Sequence, residues 1–426
     1  MEVANELQRK FDTVDEGKSL GGAIKTYEEI IGHSDNSEEV VKIKERAVYQ
    51  LASIFSEKKL ADELINLLES ILPTLREIPQ KSKTAKIVRT IFDFTTRIPG
   101  NEAKLIEMCE KIVQWSEENK RTFLRHRIQT KLAELLVAEH RYTEALALLD
   151  TLLREMKKLD DKNMLVEIQL IESQVYHALH NLPKSKAALT SVKTAGTSIY
   201  VVPALQAQID LQSGVVSADE RDFNTSYSYF FESFEGFNSL GELDLARRGL
   251  TYMLLSKIMN KQTGDALNLL NSQVTLKYQG RDLECMREIA KAVKEQNLLG
   301  FEKAKEAFSD VISADANVLK VHINDLYDTL LEDNLRKIIE PYSEVQIDYV
   351  AEKIGLPLSA VQQKLSEMIL DEKIDGTLDQ GRGCLTMFEE AEDNKAFDHT
   401  IGIFDKLSHV IDAFYEKTKK VKEMSQ

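Results

Sequence analysis

The stretch Tyr142–Leu152, YTEALALLDTL, opens with a large residue, two variable ones and a small one, Ala145. From there Ala145, Leu148, Leu149 and Leu152 follow the spacing of an amphipathic helix. The same opening recurs at Leu20, Leu182, Phe223, Thr263 and Phe301, closed by Ala23, Ser185, Ser226, Ala266 and Ala304, with weaker copies at Leu60 and Asn101. The eight starting positions are separated by 40, 41, 41, 40, 41, 40 and 38 residues, a regularity that marks a structural repeat.

The physical reading is a helix hairpin in which the large residue plugs the turn and the small one lets the second helix come close to the first. Ser226, Tyr229, Phe230 and Phe234 continue the apolar face in another copy. One hairpin cannot bury such a face alone, but stacked hairpins can, and the product is an α-solenoid with a long surface for protein partners. The period exceeds the roughly 34 residues of a tetratricopeptide repeat, so these are longer helices of similar design. Only 18 Gly and 7 Pro in 426 residues agree with a mostly α chain.

Charge narrows the partners. Lys and Arg total 55 against 70 Asp and Glu, a net charge of -15, which repels nucleic acid and anionic lipid and favours proteins. Cys109, Cys285 and Cys384 are odd in number, widely spaced and without a C-x-x-C pair, so a disulfide framework or thiolate metal site is not expected and a reducing compartment is. The start, MEVANELQRK, lacks the apolar core of a signal peptide, and no run of roughly 18 apolar residues suggests a membrane span.

After the last repeat, Asn317–Glu340 reads as two helices leading into Pro341–Phe388, PYSEVQIDYVAEKIGLPLSAVQQKLSEMILDEKIDGTLDQGRGCLTMF, which has the pattern of a winged helix. Ser343 with Gln346 and Ser359 with Gln362 form capping-box signatures for two short helices. Their apolar faces are Ile347, Val350, Ala351 and Ile354, then Val361, Leu365, Met368 and Ile369; the remainder predicts a two-stranded wing about Gly381-Arg382-Gly383. An acidic loop, Glu389–Asn394, precedes a last helix on which Phe397, Ile401, Phe404, Ile411 and Tyr415 are 4, 3, 7 and 4 apart, a heptad seam with Ser408 at its middle position.

Winged helices often read DNA. Between Pro341 and Phe388, however, eight acids face four bases, Lys353, Lys364, Lys373 and Arg382. Gln362, Gln363 and Lys364 could reach bases, but Glu367, Asp371 and Glu372 on the same segment oppose phosphate, and the counterion-release contribution to affinity is missing.

A helical solenoid running into this winged helix resembles the PCI domain, shared by scaffold subunits of the proteasome lid, the COP9 signalosome and a translation initiation factor. KRTFLR (Lys120–Arg125), LLREMKKLDDKN (Leu152–Asn163), YHALHNLPKSKAALTS (Tyr176–Ser191), SYSYFFESFEGF (Ser226–Phe237) and LSEMILDEKIDGTLDQG sharpen the resemblance to PCI subunits of the proteasome lid. It covers the chain from about Lys120 onward, while the first hundred residues match by pattern. Glu367 departs from the polar uncharged residue usual there.

The resemblance implies a right-handed α-solenoid of TPR-like pairs at 1–220, a PCI domain at 221–391 with helical repeats at 221–340 and a winged helix at 341–391, and a C-terminal helix at 395–426. It implies a non-catalytic lid scaffold of the cytoplasm and nucleus. The N-terminal solenoid would touch the ATPase ring and core-particle α subunits, and the C-terminal helix, with Phe397, Ile401, Phe404, Ile411 and Tyr415, would join a bundle with other lid subunits. The winged helix would meet those of other PCI subunits edge to edge, with Gln362, Gln363, Glu367, Asp379, Gln380 and Arg382 as its candidate contacts. A PCI scaffold of the COP9 signalosome and a nucleic-acid adaptor are the alternative expectations.

No enzyme signature competes. None of the 8 His forms an H-x-H pair, no P-loop motif occurs, and the cysteines have no recognisable His partner. His177 and His180 are three apart on a helix but lack a third ligand nearby in sequence, and Trp115 reads as interhelix packing. No cofactor, metal, nucleic acid or membrane is expected.

Overall fold

Seven of the eight repeat starts fall on the second helix of a hairpin or one residue before it. The computed structural model describes residues 26–27, 29–31, 38–77, 81–96, 98, 100–273, 275–315, 318–388 and 395–424, so the copy at Leu20 lies outside the described residues. The hairpins are α1 Glu38–Glu57 with α2 Ala61–Glu77, α3 Lys81–Thr96 with α4 Glu102–Glu118, and α5 Thr122–Ala138 with α6 Tyr142–Leu159. They continue as α7 Lys162–Ala178 with α8 Leu182–Gly196, α9 Pro203–Asp219 with α10 Phe223–Leu240, α11 Leu243–Met259 with α12 Thr263–Leu270, and α13 Arg281–Glu295 with α14 Leu298–Ala307. By contacts the chain divides into two compact units, Met1–Arg287 and Glu288–Gln426.

A single left-handed residue ends the first helix of each pair: Lys59, Gly100, His140, His180, Arg221, Lys261 and Gln296, with φ between 53° and 87°. At one such turn His140 N–H donates to the Val137 carbonyl (3.1 Å) and Arg141 N–H to that of Leu136 (2.9 Å), the double bond of a Schellman motif. The next residue already caps the following helix. Asn181 Oδ1 accepts from Lys184 N–H (3.3 Å), Asp222 Oδ1 from Thr225 N–H (3.2 Å) and Asn297 Oδ1 from Gly300 N–H (3.0 Å).

So short a turn forces the helices together, and the small residue of the repeat is what lies between them. Ala145, Ser185, Ser226 and Ala266 are all fully buried. The large residue does less than the sequence leads one to expect: Tyr142, Leu182 and Phe223 are half-buried, and only Phe301 is wholly inside. In the α9–α10 pair the approach leaves no room for a Cβ at either of two glycines. A Cβ on Gly214 would stand 2.5 Å from the Phe230 ring, and one on Gly236 2.9 Å from Ala207 Cβ.

Stacking is recorded by polar pairs one repeat apart. Lys86 reaches Glu45 (3.5 Å), Lys104 Asp62 (2.5 Å), Lys111 Glu69 (2.7 Å) and Arg127 Glu167 (2.6 Å). Exposed and partly exposed pairs of this kind add little, so the stack is held by its apolar core, continuous from Tyr27 to Val175.

The second unit contains α15 Ser309–Ala314, α16 Leu319–Ile339, β1 Glu344–Gln346, α17 Ile347–Ile354, α18 Leu358–Leu370, β2 Gly376–Asp379, β3 Cys384–Met387 and α19 Lys395–Met424. Where two helices are expected between Asn317 and Glu340 there is one, α16, since no Gly or Pro interrupts Leu319–Ile339 and Leu326, Leu330, Leu331, Leu335 and Ile339 are all buried. The wing is three-stranded, in the order β1-β3-β2, with β3 antiparallel to both neighbours and Val345 opposite Leu385.

That third strand explains why the first capping box does not form. The Ser343 carbonyl accepts from Met387 N–H (2.8 Å) and Ile347 N–H donates to the Gly383 carbonyl (2.9 Å), so Ser343–Gln346 is drawn into the sheet. Gln346 begins α17 in extended conformation without a side-chain cap. Likewise Pro357 precedes α18 and places Ser359 inside its first turn. Pro357 pre-sets its own φ, -65°, which supplies the helix entry the serine is expected to provide.

Candidate assembly surfaces

The winged helix buries Val345, Ile347, Val350, Val361, Leu365, Met368, Ile374 and Leu385. Of the six expected contacts, Gln363, Glu367, Asp379, Gln380 and Arg382 are exposed and Gln362 is half-buried. They form two groups. On α18, Gln363 Nε2 donates to Glu367 Oε1 (3.2 Å). In the turn between β2 and β3, Asp379 Oδ1 accepts from Gly381 N–H (2.9 Å) and Arg382 N–H (3.2 Å), so its side chain shapes the wing.

Three of the four bases in this region are tied to carboxylates. Lys364 lies 3.1 Å from Glu332 Oε1, Lys373 2.9 Å from Glu332 Oε2 and 3.3 Å from Asp371, and Arg382 3.8 Å from Asp379. Burial works against the charge on Glu332, but hydrogen bonds from Lys373 and Lys364 outweigh it and hold the carboxyl below its usual range. A duplex or RNA backbone would have to break these pairs to recruit the same cations.

The α19 face is apolar and uncovered. Ile401, Phe404, Ile411 and Tyr415 of the expected seam are 50%, 64%, 60% and 71% exposed, while the Phe397 side chain and the Glu389–Asn394 loop lie outside the described residues. A second seam runs beside the first. Ile403, Leu407, Val410, Phe414 and Val421 repeat at 4, 3, 4 and 7 and are 53–71% exposed. Its spacing is the same heptad signal and is readable in the sequence. Together the seams cover roughly 180° of the helix, wider than the stripe of a two-stranded coil.

In the first unit, the first helices of successive pairs line a groove of about 520 Å³ that includes Arg127, Glu167, Leu205, Gln208, Gln212 and Arg248. No Ser, Cys or His is among the residues that line it. His177 and His180 are separated by the fold. His177 Nε2 lies 2.8 Å from Asp219 Oδ2 in the next repeat, whereas His180 is the left-handed residue of the turn. Burial pushes the Cys109 and Cys285 thiols up to about 12, far from a thiolate nucleophile. Trp115 is half-buried against the first core, with the Arg121 guanidinium 5.9 Å from its ring centre.

Among the described residues no three His, Cys, Asp or Glu side chains gather as a metal site, and no helix is long and apolar enough to cross a membrane.

Two family models match. The 26S proteasome regulatory subunit RPN6 N-terminal domain covers residues 5–139, and the PCI domain covers residues 287–389. The first of these spans the hundred residues whose resemblance to the lid proteins rests on pattern. The chain is 45% identical to the 26S proteasome non-ATPase regulatory subunit 11 homolog of Arabidopsis thaliana, across 94% of each protein. It is 44% identical to 26S proteasome non-ATPase regulatory subunit 11 of Dictyostelium discoideum, across 94% of this chain and 95% of that one. A probable 26S proteasome regulatory subunit rpn6 of Schizosaccharomyces pombe is 39% identical across 98% of this chain and 97% of its own.

Proposed function

From the premise that the chain belongs to the 26S proteasome non-ATPase regulatory subunit 11 (RPN6) family, we propose that it is a non-catalytic scaffold of the regulatory-particle lid. Its work is lid assembly and the clamping of lid and ATPase ring to the core particle during ubiquitin-dependent degradation, in cytoplasm and nucleus. The observation that carries this is the two-seam face of α19, whose width suits the interior of a helix bundle with more than one neighbour. Other PCI lid subunits supply those neighbours, and their winged helices meet the Gln363–Glu367 and Asp379–Arg382 edge of this one. The solenoid contacts the ATPase ring and core-particle α subunits.

We also assign 1–220 to the solenoid, 221–391 to the PCI domain and 395–426 to the bundle helix. Binding of nucleic acid has no support in the paired bases of the winged helix. The signalosome reading is not favoured, since the relatives compared are proteasome subunits across nearly their whole length.

The test is affinity purification of the tagged chain, full length and truncated before Phe397, with mass spectrometry. The full chain brings down lid and ATPase-ring subunits, and the truncation loses the lid. Normal lid recovery with the truncation would overturn the role given to α19.

A further inference from the structure

We propose that, when not incorporated into a complex, the α19 face binds the α19 of a second copy of this chain in antiparallel orientation. The inference shares its face with the assembly reading but not its partners. Nine large apolar side chains from Ile401 to Val421 are each at least half exposed, more than an unpartnered monomer keeps in water without cost.

Charge along the helix selects the occupant and its direction. Asp398, Asp405 and Asp412 recur every seven residues, with Lys406 among them and Lys395 before them. Lys417, Lys419, Lys420 and Lys422 crowd the second half against Glu416 and Glu423. A parallel copy sets acid beside acid and lysine beside lysine. An antiparallel copy reversed about Ile411 sets Asp405 of each helix along Lys417 of the other and Lys406 along Glu416, and it opposes the two macrodipoles, so these charges are complementary in that direction.

The apolar spacing agrees. The exposed apolar side chains run from Ile401 to Val421 and are centred on Ile411, so reversing one helix about Ile411 brings that stretch of each over that of the other. Because the arc is wider than one two-stranded contact, further copies can add to the first pair. Self-association and entry into a bundle with other subunits use the same side chains and are mutually exclusive, so the homo-oligomer holds the face covered until those partners displace a copy.

The experiment uses the purified full-length chain. Sedimentation at tens of micromolar is expected to show a mass above one chain that falls towards the monomer on dilution, and Leu407→Asp with Phe414→Asp is expected to give the monomer at every concentration. A parent chain that stays monomeric overturns the proposal, as does a double variant that still assembles. Direction is read by mixing a Thr400→Cys copy with a Lys422→Cys copy and adding a short bis-maleimide, with the parent as control because its three cysteines are buried. Crosslinking between unlike copies in excess of like copies is expected, and the reverse overturns the antiparallel assignment. A monomeric chain that still enters the lid would end this proposal and leave the assembly reading intact.

Discussion

Ser173 and Ser185 face each other across the α7–α8 hairpin and exchange hydrogen bonds, each hydroxyl donating to the other's carbonyl at 3.0 and 2.9 Å, with both residues fully buried. Ser185 is the small residue of its repeat, so the position that permits close approach also cross-links the helices. Ser185→Ala keeps the space and loses its hydroxyl bond, and is expected to cost about 1 kcal/mol. Ser185→Leu forces the helices apart and should cost about 1–3 kcal/mol or more. Urea denaturation followed by circular dichroism checks the order, and equal costs would mean that packing at this point does not matter.

Gly214 and Gly241 are required for different reasons, which a pair of substitutions separates. Gly214 has ordinary backbone, but a Cβ there meets the Phe230 ring, itself held 5.3 Å from the Tyr252 ring. Gly214→Ala is therefore expected to destabilise by about 1–3 kcal/mol, and Phe230→Leu in the same chain should recover part of the loss. Gly241 has φ +78° and open space around it, so Gly241→Ala carries only the left-handed backbone penalty of about 1 kcal/mol, with no second-site rescue at Phe230.

These positions show what the sequence displays and what it conceals. The repeat is legible because a three-residue turn fixes the offset between helix end and small residue, so Ala145, Ser185, Ser226 and Ala266 recur in step. The turns are not legible, because His140, His180 and Lys261 occupy left-handed backbone where a glycine would have signalled it. The Ser343 capping box fails for a tertiary reason: pairing with β3 claims the strand, and local propensity does not register a partner forty residues away. The second seam of α19 follows a readable spacing, but which of its side chains stay uncovered is a property of the fold. A candidate contact such as Gln380 is exposed like its solvated neighbours, and only a partner would set it apart.

Cys109 and Cys285 are fully buried, and their thiols are pushed up to about 12 by that burial. In the native protein at pH 8 neither should react with Ellman's reagent on the timescale of a free thiol, and both should react after addition of guanidinium chloride. Fast labelling of Cys109 in the native state would show that the α4 core opens far more readily than its packing implies.

Glu332 gives the second unit a defined pH dependence. Its carboxyl is held below the usual range in the folded state, so its stabilisation is present in full above the unfolded value, about 4.3, and is lost as pH falls through the lower folded value. Glu332→Gln is expected to destabilise by about 1 kcal/mol near pH 7, because the carboxylate bridges α16 to Lys364 and Lys373 and is mostly shielded from water. The difference between variant and parent should shrink on acidification. A difference that stays constant down to pH 3 would mean that the ion pairs do not hold the winged helix to α16.

Asp379 offers a way to separate the shape of the wing from its surface charge. Its Oδ1 accepts two backbone N–H groups, a role that Asn fills equally well and Ala does not. Asp379→Ala is expected to lower stability by about 1 kcal/mol and to loosen protection of the Gly381 and Arg382 amides against hydrogen exchange. Asp379→Asn should preserve both. If the wing edge recognises a neighbouring subunit through the carboxylate, Asp379→Asn will fold normally yet enter the lid less efficiently, and if only the shape matters it will assemble as the parent does. Defective assembly by Asp379→Ala alone would place the requirement on the turn, and an Asn variant that unfolds the wing would contradict the two hydrogen bonds on which this argument stands.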